Sequence, residues 1–208
     1  MAINSYSTLQ TAVANWLDRD DLSDRIPEFI ALNEAIFNRV LRIRPMETTV
    51  TTSMVGGTKA YDLPAGYVQM REIHLDTSPI TAIQYLTPEM LYRIWAGSTS
   101  GKPSAYSIIG NEILFGPAPD SAYDYIMTYY KKFDALSDSA TTNWIILNAP
   151  DVYLYGTLLQ AEPFLMNDQR IPVWERGLRQ ALSDLQEQDS KDRHSGSELR
   201  VMNTSGYY

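Results

Sequence analysis

The stretch Ala105-Tyr-Ser-Ile-Ile-Gly-Asn-Glu-Ile-Leu-Phe115 carries the strongest local folding signal in the chain. Two apolar, β-branched segments flank Gly110-Asn111, and a glycine-asparagine pair in this position is typical of a two-residue hairpin turn. The spacing therefore predicts two short antiparallel strands, 105–109 and 112–115. The middle of the chain is expected to be rich in β-structure.

The segments on both sides of this hairpin extend the β pattern over about residues 48–147. Residues 49–54 are rich in β-branched side chains, and residues 123–130 alternate strictly between two faces. Residues 67–76 are also strand-like, but their alternation slips near Arg71-Glu72, which predicts a β-bulge. These segments together predict a β-rich domain.

Two further elements are expected inside this domain. Residues 80–85 could pair with residues 67–76 as a hairpin across Thr77-Ser78. A short helix is predicted after Thr87, which suits the N-cap, with Pro88 at the first helical position.

Both ends of the chain have helical periodicity instead. Ser7 and Gln10 have the form of a capping box at the start of the first helix. Pro163 predicts a kink or an early end in a later helix. Apolar stripes at helical spacing mark buried faces, namely Leu9, Val13, Trp16 and Leu17; then Ile26, Ile30, Phe37, Val40 and Leu41; and finally Ile171, Trp174, Leu178, Ala181, Leu182 and Leu185.

The fold class expected from this order is α+β. Residues 1–47 and 148–189 are predicted to form one helical bundle, into which residues 48–147 are inserted as the β-rich domain. Residues 190–208 lose all periodicity and are predicted to form an extended C-terminal tail. The tail nevertheless carries apolar residues, which a purely solvated segment would not favour.

Composition and charge narrow the classes of function. The 208-residue chain has no cysteine, which excludes thiolate catalysis and thiolate metal sites. It carries 17 basic and 25 acidic residues, a net charge of −8, without the clustered basic surface that tight DNA binding needs. No apolar run reaches the roughly 18 residues that span a bilayer, so no membrane association is expected.

Motifs for catalysis or for cofactor binding are not apparent in the sequence. The two histidines, His74 and His194, are far apart and in different predicted regions, and no glycine-rich loop has phosphate-binding spacing. We therefore expect no catalytic, metal or cofactor-binding residues. Carboxylate pairs, which glycan hydrolysis requires, keep a glycan hydrolase open as a lesser alternative, with Glu28 and Glu34 or Asp151 and Glu162 as the pairs.

The aromatic composition points to protein–protein contacts. Fourteen tyrosines and four tryptophans stand against five phenylalanines, and tyrosine and tryptophan are enriched where proteins meet. For any single tyrosine, a hydrogen-bonded place in the core is the alternative. The candidates for subunit interfaces are Tyr125, Tyr129, Trp144, Tyr153 and Tyr155.

Several stretches resemble one family, the head-to-tail adaptor proteins of tailed bacteriophages. The resemblance covers nearly the whole chain to about Gln188, and its motifs are structural rather than catalytic. The stretches that carry it are Gly101 through Ile113, Pro117-Ala-Pro-Asp120, Tyr129-Tyr130, Leu136-Ser-Asp138, Asn143-Trp144, Ala149-Pro-Asp151 through Gly156 and, near the start, Trp16-Leu17, Asp24 through Ile30 and Arg42 through Thr48.

The resemblance implies a structural role in the virion neck, after assembly in the host cytoplasm. It implies a dodecameric ring beneath the portal protein, with double-stranded DNA as passing cargo and a tail, nozzle or tube protein attached below. By position, the C-terminal tail would bind the portal through Leu199, Val201, Met202, Tyr207 and Tyr208. A tail-completion or stopper protein of the neck is the closest alternative, and one relative credited with cell-wall hydrolysis keeps a cell-wall (peptidoglycan) hydrolase as a lesser one.

Overall fold

The computed structural model describes residues 2–97, 99–165 and 169–194. The backbone divides into two compact units. The helical unit comprises Met1–Pro45 and Phe133–Tyr208, and the β unit comprises Met46–Lys132. The mixed α+β class predicted from the sequence is confirmed.

The helical unit contains five of the six α-helices that the described residues form. Their bounds are α1 Tyr6–Leu17, α2 Ile26–Val40, α4 Trp144–Asn148, α5 Pro150–Leu165 and α6 Ile171–His194. The remaining helix, α3 (Pro88–Ile94), belongs to the β unit. Helix α5 contacts α1, α2, α4 and α6, so it occupies the centre of the helical unit.

The first helix begins two residues earlier than the sequence predicts. Ser5 is the N-cap and Thr8 is its reciprocal partner, so the capping box is Ser5–Thr8 rather than Ser7–Gln10. The hydroxyl of Thr8 accepts a hydrogen bond from the backbone N–H of Ser5 at 2.9 Å. Thr8 thus takes the role that glutamate or glutamine usually has in a capping box. Further along the chain, α5 extends two residues beyond Pro163.

The last helix also differs from the expectation. Helix α6 extends to His194, five residues beyond the predicted end of the bundle at residue 189. The ion pairs Glu187–Lys191 and Asp189–Arg193, both at 2.7 Å and at i,i+4 spacing, support helical structure in this polar stretch. The last residues of α6 are therefore helical although they carry no apolar stripe.

The described residues of the β unit form eight strands, which make two four-stranded sheets. The strands are β1 Glu47–Ser53, β2 Ala60–Asp62, β3 Tyr67–Leu75, β4 Thr81–Ala82, β5 Gln84–Tyr85, β6 Ala105–Ile109, β7 Glu112–Gly116 and β8 Asp124–Lys131. Their order is β1-β8-β3-β4 in the first sheet and β2-β7-β6-β5 in the second. All pairs are antiparallel except β5 with β6.

The predicted central hairpin is present as β6 and β7. Ile109 lies opposite Glu112, and Gly110 between them has φ 60°, a conformation that favours glycine. The predicted bulge is also present, because the β3–β8 register shifts between Met70 and Glu72. The expected second hairpin is only partly correct, since residues 80–85 divide between β4 in the first sheet and β5 in the second.

Side chains from both sheets form the core of the β unit. Tyr125, Phe115 and Leu75 are among its most buried members. Helix α3 has the predicted Thr87 cap, whose hydroxyl accepts the N–H of Met90. The ring of Trp95, which follows α3, lies over Gly116 of β7, where a Cβ atom would be 2.5 Å from Cε3 of the ring.

The boundary of the β unit differs from the expected 48–147, because residues 133–147 group with the helices. Hydrogen bonds from α2 hold this segment. Oδ1 of Asn38 accepts the backbone N–H of Phe133 at 2.9 Å, and Oε1 of Glu34 accepts that of Leu136 at 2.8 Å. Such side-chain contacts between distant parts of the chain have no signature in local periodicity.

Candidate protein–protein interface

An aromatic cluster lies on the helical unit, formed by Trp16 at the end of α1, Tyr155 of α5 and Trp174 of α6. The ring centroids of the two tryptophans are 5.5 Å apart, and Tyr155 lies about 6 Å from each, at 6.1 Å from Trp16 and 6.3 Å from Trp174. Gly177 makes room for the Tyr155 ring, because a Cβ atom there would be 3.0 Å from its Cγ. Trp16, which was predicted to lie on a buried face of the first helix, is 45% exposed, so the cluster offers an aromatic surface.

A second apolar surface, the α2 row, consists of Leu32, Ile36 and Val40. These residues repeat every four positions and therefore share one side of the helix. Leu32 and Val40 are each 53% exposed, and Ile36 is half-buried. Val40 was predicted to lie in the buried apolar stripe of this helix. The prediction is wrong, because α2 carries apolar residues both on its buried side and on its exposed side. The repeat of Leu32, Ile36 and Val40 at every fourth position was the sequence signal that could have revealed this second apolar row.

Trp144 begins α4 and stacks on Phe133, with the ring planes 15° apart. It also lines a small cavity of about 80 Å³ together with Ile43, Pro45 and Leu185. Beside the cavity, Oδ1 of Asp189 accepts the backbone N–H of Arg44 at 2.6 Å. The partly exposed Trp144 ring thus lies where the end of α6 meets residues 43–45.

Three of the five tyrosine and tryptophan candidates for subunit interfaces are core side chains. Tyr125 and Tyr129 are 2% and 4% exposed within the β unit, and Tyr153 is fully buried against Phe37 in the helical unit. Side chains this buried present almost no surface to a second subunit, so the core alternative applies to them. Only Trp144 and Tyr155 remain interface predictions.

A buried polar network surrounds Tyr153. Its hydroxyl donates to Oε1 of Glu34 at 2.9 Å and accepts from the side-chain amide of Asn143. Burial raises the pKa of the Glu34 carboxyl, against the two hydrogen bonds that it accepts. Burial also raises the pKa of Tyr153, and the neighbouring Glu34 raises it further. The network holds α2, α5 and residues 134–143 together.

The carboxylate pairs considered for hydrolysis do not form open acid–base pairs. Glu34 is buried in the network, whereas Glu28 is exposed and pairs with Arg25 at 2.9 Å. Glu162 is fully buried and accepts the indole N–H of Trp174 at 2.7 Å, whereas Asp151 is exposed. One member of each pair is therefore withdrawn from solvent, and the arrangement resembles core hydrogen bonding rather than a cleft.

The β unit has exposed aromatic and apolar side chains of its own, which the sequence analysis did not single out. Tyr85 of β5 is 56% exposed, although its ring contacts Tyr106 at 5.5 Å. Tyr92 and Ile94 on α3 are similarly exposed. Each unit therefore carries apolar surface that its own packing leaves uncovered.

Two remaining predictions concern the ends of the chain and the membrane. The proposed portal-binding residues Leu199, Val201, Met202, Tyr207 and Tyr208 lie outside the described residues. Among the residues that are described, no helix combines the length and the apolarity that crossing a membrane requires.

A family model described as SU10 adaptor protein matches residues 4–202, which include almost all of both units. The chain belongs to the SU10 adaptor protein family. The family is one of phage adaptor-type proteins, and membership implies a structural role in contact with other phage structural proteins. No curated protein matches the sequence.

Proposed function

We propose that this chain is a head-to-tail adaptor of a tailed phage, which forms a ring under the portal and provides the attachment surface for the tail. The observation that carries the proposal is the family match, which extends from residue 4 to residue 202. It includes the helical ends and the inserted β unit alike. The proposal therefore concerns the whole two-unit chain rather than one part of it.

Exposed apolar surface on both units supports a ring. A cyclic assembly joins neighbours head to tail, so each subunit needs two different contact surfaces. The aromatic cluster and the α2 row supply apolar surface on the helical unit, and Tyr85, Tyr92 and Ile94 supply it on the β unit. We propose that these surfaces, with Trp144 and Tyr155, contact neighbouring virion subunits.

The charge of the chain supports DNA passage through the ring. A net charge of −8 disfavours adhesion to phosphates, because binding to DNA depends on clustered lysine and arginine side chains. DNA would therefore pass as non-specific cargo. A strongly basic chain would instead hold the DNA at the neck.

We further propose that the part of the predicted tail beyond His194 contributes the attachment to the portal, through Leu199, Val201, Met202, Tyr207 and Tyr208. The contact between Asp189 and the backbone of Arg44 fixes the last turns of α6 within the helical unit. The segment beyond His194 would then start from a fixed point. Docking of its apolar side chains into a groove of the portal would supply the affinity.

Co-sedimentation with purified portal rings tests the proposal. We expect the full chain to sediment with the portal and to appear there as a ring. A chain that ignores the portal but binds tail components would contradict it, and would instead favour the stopper alternative.

A tail variant tests the portal contact separately. Deletion of residues 198–208 is expected to leave the fold intact and to weaken co-sedimentation, whereas a scrambled tail of equal composition serves as the matched control. Equal attachment by the deletion variant and the full chain would refute the role of the tail. The ring proposal itself would survive that result.

A further inference from the structure

The first sheet of the β unit has two long outer edges, which differ in the regularity of their pairing and in their charge. On one side, β3 carries β4 only at His74 and Leu75, and the rest of its outer edge is interrupted by two register shifts and bears the exposed Glu72. Bulges and charges of this kind are the usual protection of an edge against unwanted pairing. The outer edge of β3 is therefore protected.

The opposite edge, β1, lacks this protection. Its seven residues pair with β8 in one unbroken register, from Glu47 opposite Tyr130 to Ser53 opposite Asp124. Its sequence, Glu-Thr-Thr-Val-Thr-Thr-Ser, has no lysine, no proline and only one charge, at its first position. Among the described residues, no strand pairs with the outer side of β1. Such an edge is a template for another strand.

The hydrogen-bond pattern identifies the amides at this edge. The N–H of Met54 donates to the carbonyl of Tyr123 at 2.7 Å, so residue 54 is turned towards β8. Because an antiparallel ladder alternates, the backbone groups of Thr49 and Thr51 are turned away from β8. Their side chains are exposed as well, whereas Val50 packs against the core of the β unit.

We infer that β1 binds β1 of a second copy of this chain, antiparallel and with Val50 at the two-fold axis. The strand reads almost the same in both directions from Val50, which is the self-complementarity that a two-fold contact requires. In the register that uses all seven residues, Thr49 faces Thr51, Thr48 faces Thr52 and Glu47 faces Ser53. The outward amides then lie opposite each other, and no like charges meet.

Cross-strand threonine pairs are favourable in sheets, and the β unit already contains one. The hydroxyls of Thr49 and Thr128 lie 3.1 Å apart across β1 and β8. A single added strand pair nevertheless buries less than the roughly 1,200 Å² of a stable interface. The dimer is therefore weak and forms as the concentration of the chain rises.

This dimer goes beyond the proposed ring. A two-fold contact closes on itself and cannot extend around a cyclic assembly, so it concerns the free chain and leaves the ring contacts to other surfaces. Portal co-sedimentation does not depend on it. Failure of the dimer and failure of the adaptor proposal are therefore distinguishable.

Cysteine cross-linking tests the register, because the chain has no cysteine of its own. In a non-hydrogen-bonded antiparallel pair the Cα atoms are about 4.5 Å apart, within reach of a disulfide. Under mild oxidation, Val50→Cys is expected to give covalent dimers, because residue 50 lies opposite its own copy. Thr48→Cys alone is expected to give none. An equal mixture of Thr48→Cys and Thr52→Cys chains is expected to give covalent dimers, because these two positions lie opposite each other. Cross-linking of Val50→Cys no greater than that of the exposed-turn control Thr58→Cys would overturn the inference.

A proline substitution tests the amides themselves. Thr51→Pro removes an outward N–H without removing a bond to β8, and two-fold symmetry removes two such donors from the dimer. In sedimentation equilibrium of the full chain, we expect its dissociation constant to rise at least about tenfold. Thr51→Val keeps the amide and is the matched control, which stays dimeric. A wild-type chain that is monomeric at all concentrations, or a dimer indifferent to Thr51→Pro, would overturn the inference.

Discussion

The two units each use a glycine to admit a large side chain, but the side chain differs in kind. In the helical unit, Gly156 of α5 receives the amide of Asn33 from α2, where a Cβ atom would be 2.1 Å from Oδ1. In the β unit, Gly116 receives the indole ring of Trp95. One unit is fixed by a buried polar group, the other by an apolar one.

The same contrast holds for the rest of the two cores. Among the residues that the structure describes, the buried polar side chains Asn33, Glu34, Thr157 and Glu162 belong to the helical unit, whereas Ser107 belongs to the β unit. Buried polar groups need specific partners, whereas apolar packing tolerates adjustment. Asn33, Glu34 and Glu162 of the helical unit make specific side-chain hydrogen bonds, whereas the β unit is held by alternating apolar faces.

The largest effect is expected from Gly156→Ala. The new methyl group would displace the Asn33 side chain, whose amide donates to the carbonyls of Val152 and Tyr153 at 3.3 Å each. We expect the free energy of unfolding, measured by urea denaturation, to fall by about 3 kcal/mol. The matched control is Gly56→Ala, where the nearest atom is 3.5 Å away.

A double-mutant cycle with Asn33→Ala sharpens this prediction. Once the amide is gone, the methyl group at residue 156 has space, so the double variant is expected to lose less stability than the sum of the two single variants. Strict additivity would mean that the α2–α5 contact does not depend on this polar group.

A smaller effect is expected from Gly116→Ala in the β unit. Its Cβ atom would lie 2.5 Å from the Trp95 ring, but this ring is partly exposed and can move outward. We expect a loss of about 2 kcal/mol, with a change in tryptophan fluorescence. A loss greater than that of Gly156→Ala would reverse the proposed contrast between the units.

Tyr153→Phe tests the polar network at the scale of one hydroxyl. Its removal leaves Glu34 and Asn143 each without one hydrogen-bond partner in a buried site. We expect a loss of about 1.5 kcal/mol in the free energy of unfolding. The exposed Tyr92→Phe is the control and should change it little; equal effects would argue against the network.

The smallest effect concerns the pH dependence of Glu34. Its pKa in the folded chain is raised above the ordinary value of 4.5, so the folded state holds the proton more tightly than the unfolded state. This contribution is fully present below pH 4.5 and is lost as the pH rises through the folded pKa.

Glu34→Gln should therefore lack this loss. We expect the stability of the wild type, relative to Glu34→Gln, to decline between pH 4 and neutral pH in parallel denaturation series. Glu28→Gln changes an exposed, ion-paired carboxylate and is the control. A wild-type advantage that grows with pH would show that burial does not dominate the titration of Glu34.

The β unit was the more predictable part of the fold from sequence. Its hairpin at Gly110, its bulge near Arg71 and its helix after Thr87 all follow from turn chemistry or from alternation over a few residues. Such local rules do not depend on distant partners. The division of residues 80–85 between two sheets depends on distant strands, and it was not predicted from the sequence.

The helical unit and the interface were less predictable. The grouping of residues 133–147 with the helices rests on Glu34 and Asn38, about a hundred positions earlier in the chain. Likewise, composition cannot distinguish a core tyrosine such as Tyr153 from a partly exposed one such as Tyr155. That distinction arises only when α2, α5 and α6 are packed.

An image of the assembled phage neck tests the central claim most directly. In a cryo-electron microscopy reconstruction of the virion, the account predicts a ring of this chain directly beneath the portal, with DNA or its channel at the centre. A neck in which another protein occupies that position, or virions that lack this chain, would contradict it.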